Sequence, residues 1–300
     1  MEVRSAAEIA ATLDESGRHE GLPFMPEMTA YCGRRLKVYR RAEKTCVEGA
    51  GLRRMDGVVL LEGARCDGSA HDGCQRGCLM FWKEAWLKPA PAPERRATPR
   101  EVSGPPSERL RSIPARQENL YTCQSTQLAA ATAPMSKWNL GHLLADVRRG
   151  ELSLLGMARI VGLTLINRVR RQFGRPELWV ITGPGADARG GQGLQPGEWV
   201  RVRSAEEIRA TLDARGRNFG LSFEPEMSLH LGRTFRVGQR VERIIHEETG
   251  RMVRLRDTVA LEGLVCRGVC VKNCPRSNPL YWRESWLERV AAPAGPELRA

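Results

Sequence analysis

The feature that most limits how this chain can fold is that its two ends are copies of each other. Ser5-Ala6-Ala7-Glu8-Ile9 returns as Ser204-Ala205-Glu206-Glu207-Ile208. Gly21-Leu22-Pro23-Phe24-Met25-Pro26-Glu27-Met28 returns as Gly220-Leu221-Ser222-Phe223-Glu224-Pro225-Glu226-Met227. Trp82-Lys83-Glu84-Ala85-Trp86-Leu87 returns as Trp282-Arg283-Glu284-Ser285-Trp286-Leu287. The offset is 199 residues early and 200 late, so one residue has slipped in between. A fold must therefore be found that each copy can adopt, with whatever lies between them placed around it.

Each copy opens with a capping box, Ser5 with Glu8 and Ser204 with Glu207, which satisfies orphan amides at a helix start. Short helices follow, ending near Gly17 and Gly216. Leu36-Lys37-Val38-Tyr39 and Phe235-Arg236-Val237 then alternate apolar and polar residues, as half-buried strands do. Val58 to Leu61 and Thr258 to Leu261 read as further strands, and Tyr281 to Leu287 as the last. In the second copy a strand, Gly197 to Val202, precedes the helix. The first copy cuts it to Met1-Glu2-Val3, which implies a frayed edge or a start codon lying upstream. The expected fold class is α+β: two small SH3-like β-barrel repeats, each with an inserted short helix, flanking a helical middle segment.

The expected organisation is a first Cys-rich repeat over 1–88, a Pro-rich linker over 89–117, a helical middle over 118–182, a Gly-rich linker over 183–196 and a second Cys-containing repeat over 197–292. The Pro-rich stretch carries seven prolines among many charges and is expected to be extended. In the middle segment Trp138 to Val147 is a short helix candidate and Leu152 to Phe173 the longest. Leu152 to Ile166 is apolar nearly all round, which predicts burial or an interface. Its Arg-flanked ends also allow peripheral contact of residues 152–171 with anionic lipid. Gly183 to Gly191 follows a strand-like Leu178 to Thr182, but no helix follows to supply the amides of a phosphate cradle.

The net charge of +12 over 300 residues points to an acidic partner, whether a protein, a nucleic acid or a membrane surface. Arg far outnumbers Lys, and a GC-rich genome produces the same bias, so the charge carries half its face value. No signal-like stretch opens the sequence and no apolar run is long enough to span a bilayer. A cytoplasmic location is expected, in which nine cysteines are metal ligands or reduced thiols rather than disulfides.

Those cysteines are the clearest chemical signal. The first copy holds Cys46, Cys66, Cys74 and Cys78, three of them within 13 residues in a loop of small and polar residues. Tetrahedral thiolate sites are built this way, from loops and strand ends separated by Gly-rich turns. His71 can replace a thiolate or support one. The second copy keeps Cys266 and Cys274, gains Cys270, and has Asn278 in place of Cys78. The counterpart of Cys46 is Ile245 or His246. With His246, each copy keeps four N/S ligands, the second being His246, Cys266, Cys270 and Cys274. Zinc is the expected ion, an iron–sulfur cluster the alternative. Cys32 and Cys123 have no counterparts and read as idle thiols. The Trp82/Trp86 and Trp282/Trp286 pairs read as core packing or, in the sharper reading, as a base-stacking surface. The Glu27-Met28 and Glu226-Met227 turns read as structural. No Ser-His-Asp, Cys-His or paired-carboxylate arrangement points to catalysis, and whether the chain is an enzyme is left open.

The strings Lys44-Thr45-Cys46, Arg65-Cys66-Asp67-Gly68-Ser69-Ala70-His71, Cys74-Gln75-Arg76-Gly77-Cys78, Tyr121-Thr122-Cys123-Gln124 and Phe81-Trp82-Lys83-Glu84-Ala85-Trp86-Leu87, with Cys274-Pro275-Arg276 and Tyr281-Trp282-Arg283-Glu284, resemble a family of uncharacterised bacterial proteins with two Cys-containing repeats. The resemblance implies a two-copy architecture and a gene neighbourhood devoted to the biosynthesis of natural products or polysaccharides. It brings no activity. The expected function is a metal-binding accessory or redox component of such a pathway. A tandem-barrel nucleic-acid-binding protein and an iron–sulfur oxidoreductase are the alternatives.

Overall fold

The computed structural model describes residues 1–90, 110, 113–136, 140–185, 190–269 and 272–293. The fold is mixed α/β, with short elements gathered into many small sheets. It divides into two compact units. The first is Met1–Asn139 with Arg243–Val253 and Cys274–Ser277, and the second is Leu140–Glu242, Arg254–Asn273 and Asn278–Ala300. The expected helical middle is divided between them: residues 118–136 fall in the first unit and residues 140–182 in the second. The Pro-rich linker lies largely outside the described residues.

In the first unit the chain runs through β1 (Glu2–Val3), α1 (Ala6–Ala10), β2 (Val38–Arg41), β3 (Lys44–Val47), β4 (Gly51–Arg54), β5 (Val58–Arg65), β6 (Leu79–Lys83), β7 (Leu87–Lys88), α2 (Gln124–Ala131) and β8 (Ala133–Pro134). The capping box forms as expected: Glu8 N–H donates to Ser5 Oγ at 3.3 Å and Ser5 N–H to Glu8 Oε2 at 2.8 Å. One antiparallel sheet has the order β2-β5-β6, another β8-β4-β3, while β1 pairs with β7 on one side and is bridged through Glu2 to Arg35 on the other. The opening strand is thus a two-residue stub.

The second unit holds α3 (Gly141–Arg148), α4 (Leu154–Gln172), β9 (Trp199–Val202), α5 (Ala205–Arg209) and β10 (Thr234–Arg240). The short pair β11 (Arg243–Ile245) and β12 (Met252–Arg254) follows in sequence, but Arg243–Val253 belongs to the first unit. Then come β13 (Thr258–Val265), β14 (Pro279–Arg283) and β15 (Leu287–Arg289). With its full-length opening strand, this copy joins β14-β13-β10-β9-β15 into one five-stranded sheet.

The repeats share a core in detail. Trp82, Trp86, Trp282 and Trp286 are fully buried. Phe24 meets Trp86 edge to face with ring centroids 5.3 Å apart, and Phe223 meets Trp286 at 5.2 Å. The indole N–H of Trp86 donates to Thr12 Oγ1 at 3.1 Å and that of Trp286 to Thr211 Oγ1 at 3.0 Å. These rings offer no surface on which a base could stack. The expected last strand is also interrupted. Tyr281 to Arg283 is strand, Glu284–Trp286 is a 3-10 turn, and the strand resumes at Leu287.

One expectation about the middle fails: Leu178 to Thr182 forms no strand. Helix α4 forms, and of it only Ile160 is buried, while Leu155 is 81% and Leu154 68% exposed, so of the two expected fates of its apolar run, burial and an interface, burial is not seen. No helix among the described residues is long and apolar enough to cross a membrane.

Candidate metal centre

The first cysteine loop, 66–78, is the connection between β5 and β6, whose register runs from Val58↔Lys83 through Leu60↔Phe81 to Arg65↔Leu79. Cys66 N–H donates to Cys78 C=O at 2.9 Å and closes the loop at its neck. Inside, the N–H groups of His71 and Gly73 both reach Gly68 C=O, at 2.9 and 3.0 Å. Gly68 has φ +73°, and a Cβ there would stand 2.1 Å from the Cys74 carbonyl oxygen, so the turn requires glycine.

The turn Pro26–Tyr31 supplies a buried carboxylate to this loop. Glu27 Oε1 lies 2.6 Å from His71 Nδ1, accepts Ala70 N–H at 3.2 Å and faces the Cys66 thiol at 3.6 Å. His71 Nε2 faces the Thr122 carbonyl at 3.1 Å. Both ring nitrogens thus point at acceptors, which suits an imidazolium paired with a carboxylate. Burial alone would raise the Glu27 carboxyl, but the His71 bond and charge hold it below its usual range. Burial alone would lower His71, but Glu27 holds it above. Glu27 Oε2 is buried without a hydrogen-bond partner. The second repeat preserves the device: Glu226 Oε1 accepts Arg267 N–H at 2.9 Å and Oε2 meets the Cys266 thiol at 3.3 Å. The recurring Glu-Met turn is the anchor of each cysteine loop.

Cys66, Cys74 and Cys78 line a cavity of about 30 Å³, and a fourth thiol, Cys123, joins them there. Cys123 precedes α2, where Gln124 fixes it. The Gln124 side chain accepts Phe81 N–H and donates to Phe81 C=O, both at 2.8 Å, and so docks the segment on β6. Cys74 Sγ accepts Ile245 N–H at 3.3 Å, and Cys78 Sγ is 3.8 Å from Ser125 Oγ. Burial raises the thiols of Cys66 and Cys74 and pushes Cys123 up to about 11. Among the described residues, Glu27, Cys66 and His71 are the one group of three or more that brings its ligand atoms within 4.8 Å of one another. No three of the cavity thiols do, whereas thiolates around one zinc stand about 3.8 Å apart.

Two guanidiniums, Arg76 and Arg276, also line the cavity. Glu247 holds both. Arg276 Nη1 and Nη2 reach its two oxygens at 3.1 and 2.7 Å, and Arg76 Nη2 reaches Oε2 at 3.2 Å. Glu48 also meets Arg76 Nη2 at 3.7 Å, so two carboxylates face the two guanidiniums beside the thiols.

The structure groups the expected ligands differently from their spacing. Cys46, on β3, does not line the cavity of Cys66, Cys74 and Cys78 but stands against Cys274, Sγ to Sγ 3.3 Å. Cys46 N–H also donates to Cys274 Sγ at 3.1 Å. The bond between the thiols brings Cys274 down to about 7 and pushes Cys46 up. His246 meets Thr249 Oγ1 at 3.1 Å and Glu48 at 3.6 Å, as a turn residue. Cys266 belongs to the second unit and Cys274 to the first. Cys270 lies outside the described residues. Cys32 packs against the first core, and burial pushes its thiol up to about 11. Cys123, read from sequence as idle, is the missed member of the cavity. Its signal was its place beside Gln124 in the Tyr-Thr-Cys-Gln string. No family model, curated protein or solved structure matches the chain.

Proposed function

We propose that the protein is a metal-bearing accessory or redox component whose centre is held by Cys66, Cys74, Cys78 and Cys123. The observation that carries this reading is the convergence of four thiols, from loop 66–78 and the start of α2, on one cavity. None of the eight cysteines among the described residues is in a disulfide. An N–H donor aimed at Cys74 Sγ and the Arg76 and Arg276 guanidiniums are groups that stabilise bound thiolate. An iron–sulfur cluster is favoured over a single zinc, because each thiolate of a four-iron cluster binds a different iron and stands farther from the others. Bonded sulfur–metal distances are shorter than van der Waals contacts, so such a group needs less free volume than its own bulk. We read each repeat as an SH3-like barrel, the second nearer to closure through its five-stranded sheet.

The test is metal and acid-labile sulfide content after purification without oxygen. Iron with sulfide in equal amounts, lost together in Cys74→Ser and Cys123→Ser but kept in Cys32→Ser, is the expected result. Stoichiometric zinc in a colourless protein would replace the cluster with a structural ion. Metal content unchanged by Cys74→Ser and Cys123→Ser would refute this site.

A further inference from the structure

Outside the cavity, the pair Cys46 and Cys274 has no part in the proposed centre. Both residues belong to the first unit, although 228 positions separate them. Their sulfurs are 3.3 Å apart, and a disulfide needs closure by only about 1.3 Å. The surroundings hold that approach. Cys46 N–H donates to Cys274 Sγ at 3.1 Å, so the backbone of β3 steadies the partner sulfur as thiolate. Arg276, two residues beyond Cys274, donates to the Cys46 carbonyl at 2.9 Å and is fixed by both oxygens of Glu247. The two strands of chain that carry the thiols are thus pinned to each other independently of the sulfurs. Cys274 is buried, whereas Cys46 is partly exposed beside the exposed turn at Glu48, Gly49 and Ala50. An oxidant must be small to enter.

We propose that Cys46 and Cys274 form a redox-active dithiol that a small hydroperoxide closes to a disulfide. The Cys274 thiolate attacks one peroxide oxygen. The O–O bond breaks, the other oxygen leaves and takes a proton to become alcohol, or water for hydrogen peroxide, and Cys274 becomes a sulfenic acid. Cys46 sulfur then attacks Cys274 Sγ. The S–O bond breaks, and the hydroxyl leaves as water with the Cys46 proton. In total, two thiols and one hydroperoxide give one disulfide, one alcohol and one water. The peroxide gains two electrons and each sulfur gives up one. The disulfide would bind residues 274–277 covalently to β3.

The test uses the full chain, reduced and then exposed to one equivalent of hydrogen peroxide, with remaining thiols alkylated and peptides mapped by mass. The expected result is a single crosslinked peptide pair containing Cys46 and Cys274, two hydrogens lighter than the reduced pair and restored by dithiothreitol. Cys46→Ser should halt the sequence at a Cys274 sulfenic acid that dimedone traps. Cys274→Ser should slow peroxide consumption by tenfold or more. Cys32→Ser should change nothing. Metal content of Cys46→Ser should equal that of the parent, which separates this dithiol from the cavity centre. If Cys46 and Cys274 both remain alkylatable after treatment, or if the crosslink joins cavity cysteines instead, the dithiol does not exist as drawn. Equal peroxide consumption in Cys274→Ser and the parent would equally overturn it.

Discussion

Glu247 shows how much one side chain can organise. Its carboxylate is buried, yet it meets Arg276 through both oxygens, Arg76 through one, Ser125 Oγ at 3.1 Å and the amide of Glu48 at 3.0 Å. Burial alone would raise its pKa, but the Arg276 charge, with Arg76 behind it, holds it below the ordinary 4.5. A carboxyl lowered in the folded state stabilises fully above its unfolded value, and that contribution fades as pH falls through the folded one. Glu247→Gln should therefore remove part of the acid sensitivity of the first unit. Near pH 7 it should cost about 3–5 kcal/mol, since it leaves Arg276 buried without its counter-charge. Urea unfolding of parent and variant at neutral and acid pH measures both effects. The difference between the two proteins should shrink on acidification, and a pH-independent difference would contradict this account. None of this was legible in the sequence. Glu247 stands in an ordinary polar turn, and its partners are 29 and 171 residues away. Cys274 was legible as a thiol with a role but not as the neighbour of Cys46, because a contact across 228 positions leaves no periodic trace.

The cysteine loop tests the argument at the scale of an element. Gly68 and Gly73 both have positive φ, but only Gly68 faces the backbone of Cys74 at closed range, while a Cβ on Gly73 would meet nothing within 4 Å. Gly73→Ala should cost about 1 kcal/mol, the ordinary penalty of a left-handed residue. Gly68→Ala should cost about 3 kcal/mol, because the clash adds to the strain, and should displace Cys74 and release metal. Thermal unfolding and metal content separate them, and equal losses from the two would mean that the turn does not set the ligand geometry. The hairpin carrying this loop was readable from its Val-Val-Leu-Leu run and its flanking Trp-rich strand. The capping boxes were readable too, since both depend only on local pattern. Helix α4 was readable as a helix but not in its burial. A nearly continuous apolar run, Leu152 to Ile166, gives no face to choose. Leu154, Leu165 and Val169 stay half exposed or more beside the buried Ile160.

At the scale of the molecule, the copies in the sequence and the units in space do not coincide. Arg243–Val253 and Cys274–Ser277 are written in the second copy but belong to the first unit. A fragment ending at residue 139 would keep Cys66, Cys74, Cys78 and Cys123 yet lose Glu247, Arg276 and the Ile245 amide that meets Cys74. Its unfolding midpoint should lie about 10 °C or more below that of the first unit in the full chain, and its metal should exchange faster. A fragment as stable and as retentive as the whole would show that the borrowed segments are dispensable.

That borrowing bears on ancestry. A freshly duplicated gene holds two interchangeable halves, and losing either restores the parent. Here the first unit includes Arg243–Val253 and Cys274–Ser277, both written in the second copy. Deleting the second copy would therefore remove part of the first unit as well, so the two halves are no longer interchangeable and a return to a single copy would cost the first unit its borrowed segments.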